Sequence, residues 1–361
     1  MAHARAPYMA WAKNRAVPAV DLAGSNLLAC TMEDLPGARE LVDLSGESAN
    51  GYPPLLQAIA ARYGVPEDSV ATAPGCSGAN FLACAALLDA GDEVLVESPN
   101  YDPLPAAVRM LGATVTTFPR RFGEGYRIDP ARVAAAMTPG TRALVISNPH
   151  NPSGAVVSDE QMRALGQVAA RAGIHVLVDE VYLDTVLDGR PAPAATLSPV
   201  FVSTNSLTKA YGLSTLRCGW TLASREITER IRRARDIVDV SGAIPAERLA
   251  HVAFQNLDRL TARARKLVEQ NASLVRSFLE SRRELEFAPS RTTIVFPRFR
   301  DGRDAGPFVE RLFAEHGVAL VPGSFFDAPP HFRISFGGST AKLTKGLEAV
   351  GRCLDDLTRR A

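Results

Sequence analysis

Between residues 47 and about 224, short runs of aliphatic and β-branched residues alternate with segments whose apolar positions recur at helical spacing. That rhythm predicts an α/β fold whose large domain carries a mostly parallel, doubly wound sheet. The strand candidates are 93–97, 113–118, 142–147, 174–180, 200–204 and 218–224. Most are apolar almost throughout, as strands covered on both faces must be. Helices are expected over 54–63, 78–88, 103–111, 130–137 and 158–171, the last opening with Ser158 and Gln161 at capping-box spacing.

After residue 224 the pattern changes to long, charge-rich helices over 225–238 and 257–284. In the second, Leu260, Ala264, Leu267, Val268, Leu274, Val275, Phe278 and Leu279 form a stripe at near-helical period, which reads as core. Strands near 293–297, 318–321 and 332–336, with helices near 307–315 and 340–357, suggest a smaller α+β domain. Residues 1–45 are too few for a core of their own and are expected on that small domain or across the mouth of the large one. The expected division is therefore 1–45, a large domain over 46–250, and a linking helix with the small domain over 251–361. The small domain would be built from both chain ends. The proline-rich stretch 190–199 reads as a surface loop.

Composition narrows the function classes. The chain has 361 residues, with 40 basic and 39 acidic side chains and a net charge of +1. No basic excess or stripe supports nucleic-acid binding. The longest apolar run, Phe81 to Leu88, falls far short of the ~20 residues that span a bilayer. No signal peptide is visible, so the cytoplasm is the expected compartment. Five scattered cysteines, without C-x-x-C or histidines at ligand spacing, indicate neither disulfides nor a metal site.

Ligands of parallel α/β sheets sit at the carboxyl ends of the strands, and those ends are rich in chemistry here. Pro74-Gly75-Cys76-Ser77-Gly78 is a small-residue loop opening a helix, either a tight turn or a phosphate cradle. The strand at 93–97 leads to Asn100-Tyr101, and that at 142–147 to Asn148-Pro149-His150-Asn151-Pro152-Ser153-Gly154. The strand at 174–178 delivers Asp179-Glu180-Val181-Tyr182, where a carboxylate could also hold magnesium, although no G-x-x-x-x-G-K-[ST] loop is present. The strand at 200–204 runs into Ser206-Leu207-Thr208-Lys209, with Arg217 eight residues beyond the lysine.

Together these segments resemble the class I/II aminotransferases, fold type I enzymes that use pyridoxal 5′-phosphate (PLP). Asn151-Pro152-Ser153-Gly154 is similar to the family's N-P-[ST]-G, Asp179-Glu180-Val181-Tyr182 to its D-E-x-Y, and Ser206-Leu207-Thr208-Lys209 to its S-x-[ST]-K. Phe332-Arg333-Ile334-Ser335-Phe336 resembles its R-[IL]-S-F. The motifs occur in the family's order over nearly the whole chain.

The resemblance implies that Lys209 forms a Schiff base with the cofactor and shuttles the Cα proton, for which its amine must lose its charge. Asp179 would hold the pyridine nitrogen protonated, Asn151 and Tyr182 would bond the phenolic oxygen, and Tyr101 would stack on the ring. The phosphate would fall to Gly75, Cys76, Ser77, Ser206, Thr208 and Arg217, with Tyr52 reaching it from a neighbouring subunit in a homodimer with shared sites. Arg333 would clamp the substrate carboxylate, its alternative being a strand arginine in an ion pair. Asn26 either lines the substrate cavity or makes an ordinary turn. Cys76, where relatives often carry alanine or threonine, is either a loop filler or a low-pKa thiol.

The implied activity is amino-group transfer between an L-amino acid and a 2-oxo acid. The alternatives are elimination, decarboxylation or cyclisation on the same cofactor, and, in last place, a non-catalytic PLP-sensing regulator.

Overall fold

The computed structural model describes residues 5–43, 45–46, 48–186 and 188–360; Glu47, where the alternating pattern begins, lies outside them. The chain opens with α1 (Pro7–Asn14), β1 (Val20–Asp21) and α2 (Pro53–Tyr63). It then alternates through β2 (Val70–Pro74), α3 (Gly75–Leu87), β3 (Glu93–Ser98), α4 (Pro103–Met110), β4 (Thr114–Pro119), α5 (Pro130–Ala136), β5 (Thr141–Ser147), α6 (Asp159–Ala172), β6 (His175–Asp179), β7 (Phe201–Ser206) and β8 (Cys218–Leu222). Three helices follow, α7 (Arg225–Val238), α8 (Ile244–Gln255) and α9 (Leu257–Glu280). The remainder is β9 (Leu285–Glu286), β10 (Ile294–Val295), β11 (Arg298–Phe299), α10 (Gly306–His316), β12 (Val318–Ala319), β13 (Val321–Pro322), β14 (Phe332–Ser335) and α11 (Thr340–Arg360).

The central sheet has the order β2-β8-β7-β6-β5-β3-β4, parallel except for β8, which runs antiparallel to both neighbours. Strands β5 to β8 are almost wholly buried because helices cover both faces, which explains their unbroken apolar runs, whereas the edge strand β4 buries only Phe118. Ser158 caps α6 with the expected reciprocal bonds to Gln161, and Gly173 ends it in the left-handed region at φ 68°. The smaller unit joins the chain ends: β1 pairs with β12, β14 lies between β10 and β13, and Leu22 packs in one core with Val268, Val318, Phe332 and Val350.

Several boundaries differ from the pattern. Helix α3 begins at Gly75 rather than residue 78, so the small-residue loop is its first turn. The strands of the small unit are only two to four residues long, and α9 stops at Glu280 because Leu285 is drawn into pairing with Phe299. Helices α1 and α8 were not expected. In both, a proline near the start sets the backbone for a helix too short to display a long periodic stripe. The stretch 190–199 is not wholly superficial: Ala194 is buried, and its N–H donates to Glu180 Oε1.

Candidate active site

A cavity of about 560 Å³ opens at the carboxyl ends of the central strands. Its walls come from the start of α3 (Cys76, Ser77), the ends of β5 to β7 (Ser147, Asn151, Asp179, Tyr182, Ser206, Thr208, Lys209), Tyr101 and Leu104 after β3, Ser214 and Arg217 before β8, the 24–26 turn, and one face of α1. Of the residues expected in a site, Cys76, Ser77, Tyr101, Asn151, Asp179, Tyr182, Ser206, Thr208, Lys209, Arg217 and Asn26 line it. Arg333 lies one layer behind. Tyr52 is elsewhere, against His251 and Arg248.

Lys209 follows β7 and projects into the cavity, where Nζ donates to Ser25 Oγ and Asn26 Oδ1, each at 2.9 Å. Burial brings its pKa down to about 8, and Arg333 and Arg217 act in the same direction against the opposing pull of Asp179. The Tyr182 ring lies 6.0 Å from Nζ. Burial raises the Tyr182 phenol to about 12, and its hydroxyl has no hydrogen bond of sound geometry among the described residues.

Asp179 ends β6 with its carboxylate buried among neutral donors. Oδ2 accepts from Asn80 Nδ2 at 2.8 Å, and Oδ1 accepts from Val181 N–H at 3.0 Å. Burial still pushes the carboxyl above its ordinary range, so the site favours a cationic partner in the cavity. Glu180 turns the other way, towards Ala194. Among the described residues no cluster of three metal-ligating side chains occurs. Cys76 Sγ lies 3.5 Å from Asp179 Oδ1, and burial with that carboxylate raises its pKa well above the usual value. Burial therefore opposes the low-pKa thiol option and favours the filler.

The start of α3 has no side-chain cap, and Gly75 takes φ 75°. A Cβ there would run into the Arg217 guanidinium, and the positive φ also favours glycine, so the guanidinium sits against the helix end. Arg217 itself adopts φ 47° and donates only to the Pro74 and Ser214 carbonyls, with no acidic partner among the described residues. Free helix N–H groups, this cation and the Ser77, Ser206, Thr208 and Ser214 hydroxyls suit a phosphate. The buried carboxylate, the uncapped helix and the unpartnered phenol thus fit the two ends and the oxygen of a pyridoxal phosphate.

Arg333, on β14, is fully buried without an acidic partner among the described residues. NH1 donates to Asn151 Oδ1 (2.8 Å), and NH2 donates to Tyr8 Oη (2.7 Å) and the Ala23 carbonyl (3.1 Å). An unneutralised buried charge costs several kcal/mol and marks a place for an anion. The ion-pair alternative for this arginine is not what the fold builds.

Tyr8, Met9, Lys13, Ser25, Asn80 and Ser147 escaped the sequence reading. Tyr8, Met9, Ala12 and Lys13 share one helical face of α1, a period visible in the sequence but carried by only eight residues. Asn80 lies on α3 five residues beyond Gly75, and nothing local reveals its carboxylate partner 99 residues away.

Comparison with known proteins is consistent with this geometry. A family model described as aminotransferase class I and II matches residues 38–350. A capreomycidine synthase from Streptomyces vinaceus is 33% identical over 333 residues, covering 88% of this chain and 83% of that protein. A solved PLP-dependent aminotransferase from Streptococcus suis superposes with a TM-score of 0.93 at 25% identity, covering 99% of both chains. The solved PLP-dependent cyclase OrfR gives 0.88 at 26% identity, covering 99% of this chain and 98% of that one.

Proposed function

Because the chain belongs to the class I and II aminotransferases and is an enzyme of PLP chemistry, we propose a division of labour among its own residues for amino transfer. When bound, the cofactor supplies an aldehyde that captures amines and a ring that withdraws electrons from the substrate Cα. Lys209 is the amine that would hold the cofactor and, once released, the base that would take the Cα proton and deliver it to the cofactor's aldehyde-derived carbon across the shared nitrogen. An amine with a pKa near 8 can do both close to neutral pH.

Asp179 holds a proton on the ring nitrogen, its own position fixed by Asn80 and Val181. Asn151 and Tyr182 donate to the ring oxygen, and Tyr101 covers the ring face. The amides of Gly75, Cys76 and Ser77, the hydroxyls of Ser206 and Thr208, and Arg217 bind the phosphate. Arg333 attracts the substrate carboxylate, and Asn26 and Ser25 receive the Lys209 amine when it is free. The single observation that carries the reading is the placing of Lys209 Nζ in one cavity with the Asp179 carboxylate and the uncapped α3 start beside Arg217.

The reading extends to a homodimer. Tyr52 lies outside its own chain's cavity, and Ile237, Val238 and Val240 are apolar and exposed at the end of α7. Those features support a partner subunit that covers the α7 end and receives Tyr52 at its cofactor phosphate. A division at residue 250 would cut α8, which packs on α2 and β8, so the large domain extends to the end of that helix. No described helix is long and apolar enough to cross a membrane.

The test is spectroscopic. Amino acids should convert the bound cofactor to its amine form, and a 2-oxo acid should reverse the conversion; Lys209→Ala should abolish the cycle. Release of a cyclised product without cofactor conversion would favour the second reading, which the relation to a capreomycidine synthase and a PLP-dependent cyclase supports.

A further inference from the structure

Arg333 does not reach the cavity directly. Its guanidinium is wholly buried, and it donates to two residues that do line the cavity, Tyr8 and Asn151. Tyr8 is the less expected of the two, because it comes from the short N-terminal helix α1, 325 residues away in sequence. Its oxygen accepts from Arg333 NH2 at 2.7 Å. Arginine offers no lone pair in return, so the phenol's own hydrogen is not used in that bond. No acceptor for that hydrogen is found among the described residues.

Aromatic neighbours hold the ring against the cavity wall. It packs edge-on to Tyr101 at 5.7 Å and Phe325 at 5.9 Å, and tilted on Phe326 at 5.9 Å. The Tyr8 N–H is fastened to Asp102 Oδ2 at 2.9 Å, next to Tyr101 in sequence. A phenol held this firmly, 7% exposed, on the cavity wall, with its lone pair polarised by a buried cation, presents its O–H as a strong donor.

We propose that Tyr8 is a substrate-binding residue: it donates to one oxygen of the substrate α-carboxylate and transmits the charge of Arg333, so that carboxylate binding fastens α1 over the cavity. The inference rests on the amino-acid reading above and adds a residue and a closing element to it. Arg333 Nε is also buried without a hydrogen-bond partner among the described residues, so the same guanidinium keeps donor capacity that no described residue uses. Lys13 and Arg15 lie on or just after α1, which makes the helix's docking readable by trypsin.

The experiment compares cofactor-loaded wild type with Tyr8→Phe, which keeps the ring and its packing. Propionate serves as the carboxylate, propionamide as its uncharged counterpart, and butylamine as an amine without a carboxylate. Propionate should slow tryptic cleavage after Lys13 and Arg15 in the wild type. In Tyr8→Phe the half-saturating concentration should rise about 10-fold or more, the usual loss when a hydrogen bond to a charged group is removed. Propionamide should protect neither protein, and butylamine should shift the cofactor absorbance equally in both.

Equal propionate saturation in the two proteins would overturn the proposal, as would no propionate effect in the wild type, or a butylamine response that falls with the propionate response. Failure of the Lys209–cofactor reading on which this rests looks different: butylamine would shift neither spectrum, while the tryptic comparison would still decide the role of Tyr8.

Discussion

Lys209 Nζ lies 2.9 Å from Asn26 Oδ1, a bond that ties the end of β7 to a turn 183 residues earlier and gives the amine an acceptor when no cofactor holds it. An acceptor favours the charged amine, whereas burial favours the neutral one and brings the pKa to about 8. Cofactor capture needs the neutral form. Its rate in cofactor-free protein should therefore rise through pH 8, and Asn26→Ala should move the midpoint down by about one pH unit. Stopped-flow absorbance between pH 6 and 10 checks this; an unmoved or raised midpoint would contradict it.

The same amine couples to stability. Its folded pKa of about 8 lies below the 10.5 of the free side chain, so between these values the unfolded chain binds more protons. The cost of burying the charge is complete below pH 8 and fades as pH rises towards 10.5. Lys209→Met should then raise the melting temperature of the cofactor-free protein at pH 7, with a gain that shrinks by pH 10. A gain that grows with pH would reverse the assignment.

The sequence made the chemistry more legible than the supports. Lys209, Asp179 and Asn151 follow apolar strands, so the strand pattern alone puts them at one edge of the sheet. Tyr8, Asn80 and Ser25 reach that edge through contacts of 94 to 325 residues' separation, which no local period encodes. Helix α8 escaped for a related reason: Glu247 is buried on it, a polar residue where an amphipathic stripe would carry an apolar one.

Glu97 and Arg120 form a buried pair at 2.7 Å beneath the loop that presents Asn151. Glu97 Oε1 accepts from both the N–H and the hydroxyl of Ser147, whose Oγ in turn accepts from Asn151 N–H at 3.1 Å. Glu97→Ala strands the guanidinium and should cost roughly 3–5 kcal/mol in chemical denaturation. Joining Glu97→Leu with Arg120→Met should recover most of that loss. The double variant should still bind cofactor more weakly than wild type, because Ser147 no longer has its carboxylate anchor.

Glu247 organises a second buried cluster, and it bears on the partner subunit. Its carboxylate accepts from Tyr52 N–H, from Thr72 Oγ1 at 2.7 Å and from Ser48 Oγ at 3.4 Å, and it lies 3.6 Å from Arg235 NH2. The segment that displays Tyr52 is thus fixed to α8 and, through Arg235, to α7, at whose end Ile237, Val238 and Val240 are exposed. Glu247→Ala leaves Arg235 with Asp239 at 3.2 Å as its remaining acid, and should cost about 3 kcal/mol. Tyr52→Phe should leave stability unchanged and weaken cofactor binding by about tenfold, the loss of one hydrogen bond to a phosphate. If Tyr52 serves the neighbouring site, hybrids of Tyr52→Phe with Lys209→Ala chains divide the defects unevenly. One site of each hybrid carries both changes; the other keeps Lys209 and receives an intact Tyr52. That site should bind cofactor at wild-type affinity, detected by absorbance titration of purified hybrids. Weakened binding at every Lys209 site of the hybrid would place Tyr52 in its own subunit instead.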